Sequence, residues 1–193
     1  MTPNYPPRAY RSADQEAQRR LIRSYPLATF IVAAGGQPYA TSMPMVLSED
    51  GSYLLTHMDA NNPAGALVRD GARALAIFHG PSVYISPADY HSKQLPTYNY
   101  QQVHVHGTLE RIEDRERARE DLYALSRAME PEGRWALPEE DPRVDPLLHH
   151  IVALRLHVER MDGRFKLSQD KRPADQQAAM DKLRREGGCP VVE

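Results

Sequence analysis

The residues from Pro96 to Leu109 hold a dense set of side chains that could do chemistry. Apolar and polar types alternate along them at a period of two, which predicts a strand whose two faces meet different surroundings. The polar face collects aromatic rings, imidazoles, an amide and a hydroxyl, carried by Tyr98, Tyr100, Gln102, His104, His106 and Thr108. This polar row predicts either a cofactor site or a subunit interface. The paired imidazoles could also hold zinc, but no third ligand lies close to them in the sequence.

Short hydrogen-bond donors and lysines stand near the predicted ends of other strands. They are Ser42, Thr56, Asn61, Lys93 and Lys166. Hydroxyl, amide and ammonium groups of this kind bind phosphate. Asn62 precedes Pro63 as a predicted helix cap, and the first backbone N–H groups of a helix favour an anion. Together these residues predict a phosphorylated ligand at the rim of a barrel. His57, close to the cap, could bond an anion, ligate a metal or only make a strand-end hydrogen bond.

The elements that position these residues are mostly short strands separated by turn-forming residues. Besides the long strand that ends at about Ile112, the sequence predicts strands over 27–34, 39–47, 53–58, 73–78, 83–86, 151–161 and 165–168. The predicted turns include Gly35-Gly36, Gly80-Pro81-Ser82 and Asp162-Gly163. The predicted helices span 13–24, 63–70, 114–129 and 173–186, and an irregular excursion over 130–146 is anchored by Trp135. The pattern is typical of a mainly β fold, an antiparallel barrel over 27–169 with peripheral helices in a single domain, 1–193.

Composition narrows the classes of function. The chain has 193 residues and a formal net charge of -2, so it lacks the basic footprint of direct DNA binding, and Arg184-Arg185 is too short a patch to supply one. It has no apolar run long enough to span a membrane, and we expect no membrane insertion. The single cysteine, Cys189, excludes an intrachain disulfide and fits a cytoplasmic protein. Dinucleotide and P-loop glycine patterns are absent.

Six motifs occur together in the order in which a known family has them. They are Tyr25-Pro26-Leu27-Ala28-Thr29, Met43-Pro44, His57-Met58 with Asn62-Pro63, Phe78-x-Gly80-Pro81 with Tyr84-Ile85-Ser86-Pro87, Pro96-Thr97-Tyr98-Asn99-Tyr100 with Val103-His104, and Phe165-Lys166-Leu167-Ser168-Gln169. With these motifs the chain resembles the PaiB-like proteins, which are described as FMN-binding negative transcriptional regulators. The resemblance implies the FMN-binding split-barrel fold, of antiparallel Greek-key type, and a homodimer with FMN at the subunit interface.

The resemblance also implies roles for individual residues. Those that would flank the ring system of FMN are Ser42, Met43 and Pro44. Those that would lie by the phosphate and the ribityl chain are Thr56, His57, Asn61 and Asn62. Those that would close the site are Lys166 and Gln169, and the remaining cofactor-binding candidates are Lys93, Tyr98 and His104. The implied function is that of a redox flavoprotein, such as an FMN-dependent oxidoreductase, or of a flavin-linked transcriptional regulator.

The chain departs from the family pattern in three places. Ala60 stands where the family usually has an arginine, the loop over 91–95 is shorter, and Tyr98 replaces a tryptophan. The short loop is similar to that of the piperazate synthases, haem-dependent enzymes that form an N–N bond on a PaiB-like fold. In that alternative the cofactor is haem b and His57 is the axial ligand of the iron. FMN implies no metal site.

Overall fold

The computed structural model describes residues 6–12, 14–130 and 133–188, and Cys189 lies outside them. Within these ranges the strands are β1 (Arg11–Ser12), β2 (Leu27–Ala34), β3 (Gln37–Pro44), β4 (Val46–Leu47), β5 (Tyr53–Asp59), β6 (Arg73–Ile85), β7 (Thr97–Ile112) and β8 (Ile151–Lys166). The α-helices are α1 (Gln15–Ser24), α2 (Arg115–Met129), α3 (Val144–Leu148) and α4 (Pro173–Glu186), and 3-10 turns span Arg8–Tyr10, Pro63–Ala66 and Pro87–Asp89. The prediction of a mainly β fold with peripheral helices is confirmed.

The strands form one sheet in the order β3-β2-β6-β7-β8-β5-β4, with β1 paired to β8. Strands β3 and β4 stand at opposite ends of this order, yet only the buried Met45 separates them in the sequence. A single residue can link the two ends only if the sheet curls so that its edges meet. They meet where Thr56 Oγ1 on β5 donates a hydrogen bond to the Pro44 carbonyl oxygen at the end of β3, at 2.6 Å. The sheet is therefore open, but its edges are held together, as in a split barrel.

Backbone contacts divide the chain into two compact units. The first unit holds the described residues up to Tyr25, residues 78–104 and the described residues from Met161 onwards; the second holds 26–77 and 105–160. The second unit has an apolar core that includes Phe30, Leu54 and Leu154. In the first unit, Ile85 of β6 packs with Leu183 of α4. A single domain over 1–193 stays a prediction.

The alternation predicted for the central strand is confirmed. Along β7 the residues from Asn99 to Leu109 with odd numbers are buried, and those with even numbers are half-buried. The polar row thus lies on the more accessible face of the strand. The hairpin between β2 and β3 is also confirmed, since Gly35 and Gly36 have φ values of 57° and 79°, which its turn requires.

Two predicted turns are wrong, and glycine explains both errors. Gly80 lies inside the continuous strand β6, where an added Cβ would stand 3.1 Å from Leu21 Cδ1 and 3.3 Å from Gln101 Cβ. Gly163 lies inside β8 opposite Ser12, where an added Cβ would come within 2.8 Å of the Gln18 and Ser12 side chains. Both glycines allow close packing rather than a turn.

Several boundaries also differ from the predictions. Helix α1 begins at Gln15 rather than at 13, because Asp14 Oδ1 caps it by accepting from the Glu16 N–H at 2.8 Å. The strand predicted over 39–47 starts at Gln37 and is interrupted at Met45, and the helix predicted over 63–70 is only the 3-10 turn Pro63–Ala66. Trp135 is 50% exposed, so it is no anchor for the excursion after α2.

Candidate functional site

The chain segment that follows β5, residues 59–66, forms a tightly bonded corner. The Asp59 carboxylate accepts from the Asn61 backbone N–H at 2.7 Å and from Asn61 Nδ2 at 2.9 Å. Asn62 Oδ1 accepts from the Ala64 N–H at 3.0 Å and so caps the 3-10 turn. The Asn62 and Gly65 N–H groups bond backbone carbonyl oxygens, and the Ala60 N–H donates to the His150 carbonyl. The prediction of backbone donors left over for a phosphate is therefore wrong for these residues.

One contact ties the corner to the open edge of the sheet. Asn62 Nδ2 donates to Thr41 Oγ1 of β3 at 3.3 Å. Ser42, the next residue, is exposed, whereas the Met43 side chain is buried on the other face of β3. Thr41 and Ser42 are consecutive in β3, so their hydroxyl groups lie on opposite faces of the strand, and this edge presents the Asn62 amide beside the Thr41 hydroxyl alone. Met43 can flank a ligand here only through its backbone.

Strand β5 divides its two candidates between opposite faces. The Thr56 side chain is buried, and its hydroxyl holds β5 to β3 through Pro44. His57 follows on the opposite face, paired in register with Ala153 of β8. Burial lowers the pKa of the His57 imidazole below its ordinary value of 6.5. The ring is therefore neutral at pH 7 and can accept a hydrogen bond or ligate a metal.

The first unit brings together a second group of candidates around the end of β8. Lys166 Nζ donates to Thr97 Oγ1 and lies 5.9 Å from the centre of the Tyr10 ring. Burial is the largest influence on this ammonium group and lowers its pKa. Gln169 has little capacity left for a ligand, because its Oε1 accepts from the Leu167 N–H at 2.6 Å and its Nε2 donates to the Ala9 carbonyl at 2.9 Å and to the Phe165 carbonyl.

Lys93 lies on a loop that a residue from α4 fixes in place. The buried Asp175 carboxylate accepts from the His91 N–H at 2.7 Å and the Ser92 N–H at 3.0 Å, and it also bonds the Ser92 hydroxyl. These bonds lower the pKa of Asp175, and the bond from the Ser92 hydroxyl has the largest effect. The Lys93 side chain itself is exposed.

Tyr98 and His104 stand on the accessible face of β7 in the same unit. The Tyr98 ring lies 5.8 Å from that of Tyr84 on β6. Five of the twelve candidate residues thus belong to the first unit, while the seven from Ser42 to Asn62 belong to the second. Among residues 6–12, 14–130 and 133–188, no three histidine, cysteine or acidic side chains are arranged to hold a metal ion.

Comparison with known families decides the affiliation of the chain. A family model described as "Putative FMN-binding domain" matches residues 4–160. The chain belongs to this FMN-binding domain family. FMN, the cofactor expected from the sequence, is the one that the description of this family names. None of the helices in the described ranges is long and apolar enough to cross a membrane.

Relatives of this FMN-binding domain chain include a curated protein and several solved structures. The chain is 26% identical over 186 residues to the protease synthase and sporulation protein PAI 2 of Bacillus subtilis strain 168, covering 94% of this chain and 90% of that protein. This match confirms the resemblance to the PaiB-like proteins.

Two solved structures share the fold at lower identity. One is the FAD and heme binding protein from Mycobacterium smegmatis, with a TM-score of 0.66, 21% identity and coverage of 88% of this chain and 80% of that one. The other is the flavocytochrome Anf3 from Azotobacter vinelandii, with a TM-score of 0.63, 16% identity and coverage of 81% and 69%. At these identities the likeness supports the fold, and the predicted split barrel is confirmed.

Some residues around the candidates in this FMN-binding domain were not predicted from the sequence. Thr41 contacts Asn62, which is 21 residues away in the sequence, and Asp175 contacts Ser92, which is 83 residues away. A threonine in a strand and an aspartate in the first turn of a helix are both common, so neither carries a local signal. Only the register of the fold reveals their partners.

Proposed function

We propose that the chain is a homodimeric FMN-binding protein of the PaiB type that binds its cofactor at the edge between β3 and the corner of residues 59–66. The observation that carries this proposal is the hydrogen bond from Asn62 to Thr41. It fixes an amide donor beside the Thr41 hydroxyl group, at the edge of β3. Together with the family match over residues 4–160, this donor set favours FMN.

The donor set fits the polar part of FMN through side chains alone. Phosphate and ribityl hydroxyl groups accept hydrogen bonds from amides and hydroxyls, and Asn62 and Thr41 supply one of each. Ala60 contributes no charge, and the corner's bonded backbone N–H groups contribute no donors. Phosphate recognition here thus depends on neutral donors more than in a family member that has an arginine at position 60.

The substitution Asn62→Asp tests this assignment without removing the cap. Aspartate retains the oxygen that accepts from the Ala64 N–H, but it loses the donor and places a negative charge beside the phosphate. We expect FMN affinity to fall by about tenfold to a hundredfold, corresponding to the loss of a hydrogen bond to a charged group. Quenching of flavin fluorescence on titration measures this affinity.

Riboflavin, which lacks the phosphate, is the matched control ligand. Its affinity should change by less than about threefold in Asn62→Asp, because no charged group is then near position 62. Equal losses for FMN and riboflavin would place the phosphate elsewhere. Unchanged binding of both ligands would contradict the proposed site.

Bound FMN would supply hydride and electron transfer, and the chain would position it. The Met43 and Thr56 side chains next to this edge are buried and out of contact with water. This chemistry fits an oxidoreductase or a flavin-linked regulator. The formal net charge of -2 favours regulation through a protein partner over direct contact with DNA.

The homodimer is proposed from the accessible face of the first unit. Tyr84, Leu95 and Tyr98 are large apolar side chains that stay exposed in one chain. A second copy that covers them would remove their apolar surface from water. Sedimentation equilibrium should give twice the chain mass of 21.8 kDa, and the mass of a monomer at micromolar concentration would refute the dimer.

Haem is a second candidate cofactor, favoured by His57. Because burial keeps this imidazole neutral, it is ready to ligate iron, as the resemblance to haem-dependent N–N bond-forming enzymes implies. If haem is the cofactor, His57→Ala should abolish the Soret band formed with haemin, while FMN affinity should fall by less than about tenfold. Retention of the Soret band by this variant would exclude His57 as the axial ligand.

A further inference from the structure

A cavity of about 370 Å³ opens beside the start of β8. It lies in the second unit, between the end of β7, the start of α2, the end of α3 and the start of β8. Neither Asn62 nor Thr41 lines it. The cavity therefore adjoins the corner of residues 59–66 through Arg111, but its lining excludes the two side chains proposed to bind the FMN phosphate.

The floor of the cavity is apolar. Ile112, Ala118 and Ala153 are buried together, and Leu148 of α3 packs against them. All four side chains line the cavity. A floor of this kind favours a hydrocarbon group rather than the phosphate or ribityl chain of a cofactor.

The rim of the cavity carries two guanidinium groups and an imidazole. Arg115 Nη1 lies 3.2 Å from His149 Nε2, and since a guanidinium can only donate, this imidazole nitrogen accepts the hydrogen bond. Arg111 Nη1 donates to the Gly65 carbonyl at 3.3 Å, which holds the second guanidinium at the rim. The rim is thus rich in fixed donors.

The carboxylates near these arginines leave their donors available. Glu113 is 3.9 Å from Arg111 and its side chain is 84% exposed. Asp145 is 3.7 Å from Arg115 but only 2.5 Å from Arg119, which is its main partner. Neither carboxylate is within hydrogen-bond distance of the rim arginines, although the Asp145 carbonyl oxygen accepts from Arg115 Nη2 at 3.3 Å. A ligand carboxylate can therefore approach without displacing a strong ion pair.

We propose that this cavity is a binding site for a small carboxylate with an aromatic or branched aliphatic group. The carboxylate accepts from Arg115 and Arg111 at the rim, and the hydrocarbon group packs on the floor of Ile112, Ala118, Leu148 and Ala153. The volume accommodates a group of the size of a benzene ring. Ala153 pairs with His57, so the bound molecule lies one strand away from that imidazole.

The test uses the full chain and 4-fluorobenzoate, followed by fluorine NMR, with 4-fluorobenzamide as the neutral analogue of the same shape. We expect the benzoate to bind and the benzamide to bind at least about tenfold more weakly, since only the former makes a charge-assisted contact. Arg115→Gln should weaken benzoate binding by about tenfold or more. Arg127→Gln, an exposed change of the same charge on the same helix, should alter it by less than about twofold.

Three results would overturn the proposal. The first is the absence of benzoate binding at millimolar concentration. The second is equal binding of the two probes, or an equal effect of the Arg115 and Arg127 substitutions. The third is displacement of bound benzoate by FMN, which would make the cavity part of the cofactor site. Because benzoate binding needs no flavin, failure of the FMN proposal would leave this result unaffected.

Discussion

Replacing Gly107 with alanine should destabilise the protein by about 4 kcal/mol or more, or prevent it from folding. Gly107 lies in β7 where β8 passes, and an added Cβ would stand 1.9 Å from the His157 carbonyl oxygen. That atom belongs to the backbone of a paired strand, so it cannot move aside as a flexible side chain could. The two strands would have to separate, and the barrel would lose core packing. Denaturant unfolding followed by circular dichroism measures the loss.

Gly65→Ala is the matched control in the same unit. There an added Cβ would meet Val152 Cγ2 at 3.5 Å, which is ordinary van der Waals distance. We expect its free energy of unfolding to change by less than about 1 kcal/mol. If Gly107→Ala were as stable as Gly65→Ala, this result would contradict the close approach of β8 to β7 at Gly107.

Replacing Asp121 with leucine should reduce the free energy of unfolding by about 3–5 kcal/mol. Asp121 of α2 accepts two hydrogen bonds from Arg155 of β8, at 2.6 and 2.8 Å. The side chains of the pair are only 16% and 8% exposed, and the guanidinium stacks 4.5 Å from the centre of the Tyr53 ring. The hydrogen bonds with Asp121 are the main reason that the pKa of Arg155 is raised. Without the aspartate, a largely buried charge has no compensation.

A double variant separates the cost of losing the ion pair from the cost of leaving one buried charge without a partner. Asp121→Leu with Arg155→Met should recover most of the lost stability, because neither charge then remains buried. The exposed pair of Arg73 and Glu159 is the comparison, since its side chains are 75% and 40% exposed. Arg73→Gln should cost less than about 1 kcal/mol. A loss of less than 1 kcal/mol in Asp121→Leu would contradict the buried pair.

The strand pattern of the fold was largely predictable because it is local. The alternation along β7 and the two glycines at 35 and 36 act within a few residues, and both predictions are confirmed. Gly80 and Gly163 were misread because a glycine required for close packing looks the same in the sequence as one required for a turn. The residues that would have distinguished the two cases, Leu21 and Gln18, belong to α1 and are distant in the sequence.

The candidate site was predictable only in part. The motif at the corner identified Asn62, but its contact with Thr41 depends on how β3 returns to β5. The expectation of free backbone donors was wrong because Asp59 and Asn62 use short polar side chains to bond that backbone. The cavity beside Arg115 and His149 had no signal in the sequence, because most of the residues that line it belong to four elements, β7, α2, α3 and β8.

The most direct test of the proposed FMN site is a titration of the purified full chain with FMN, and separately with haemin, followed by visible absorption. We expect saturable binding of FMN with the two flavin bands shifted from those of the free cofactor, at one FMN per chain. An intense Soret band with haemin, and no response to FMN, would contradict it and transfer the function to haem chemistry at His57. If the chain bound neither cofactor, the FMN proposal would be wrong.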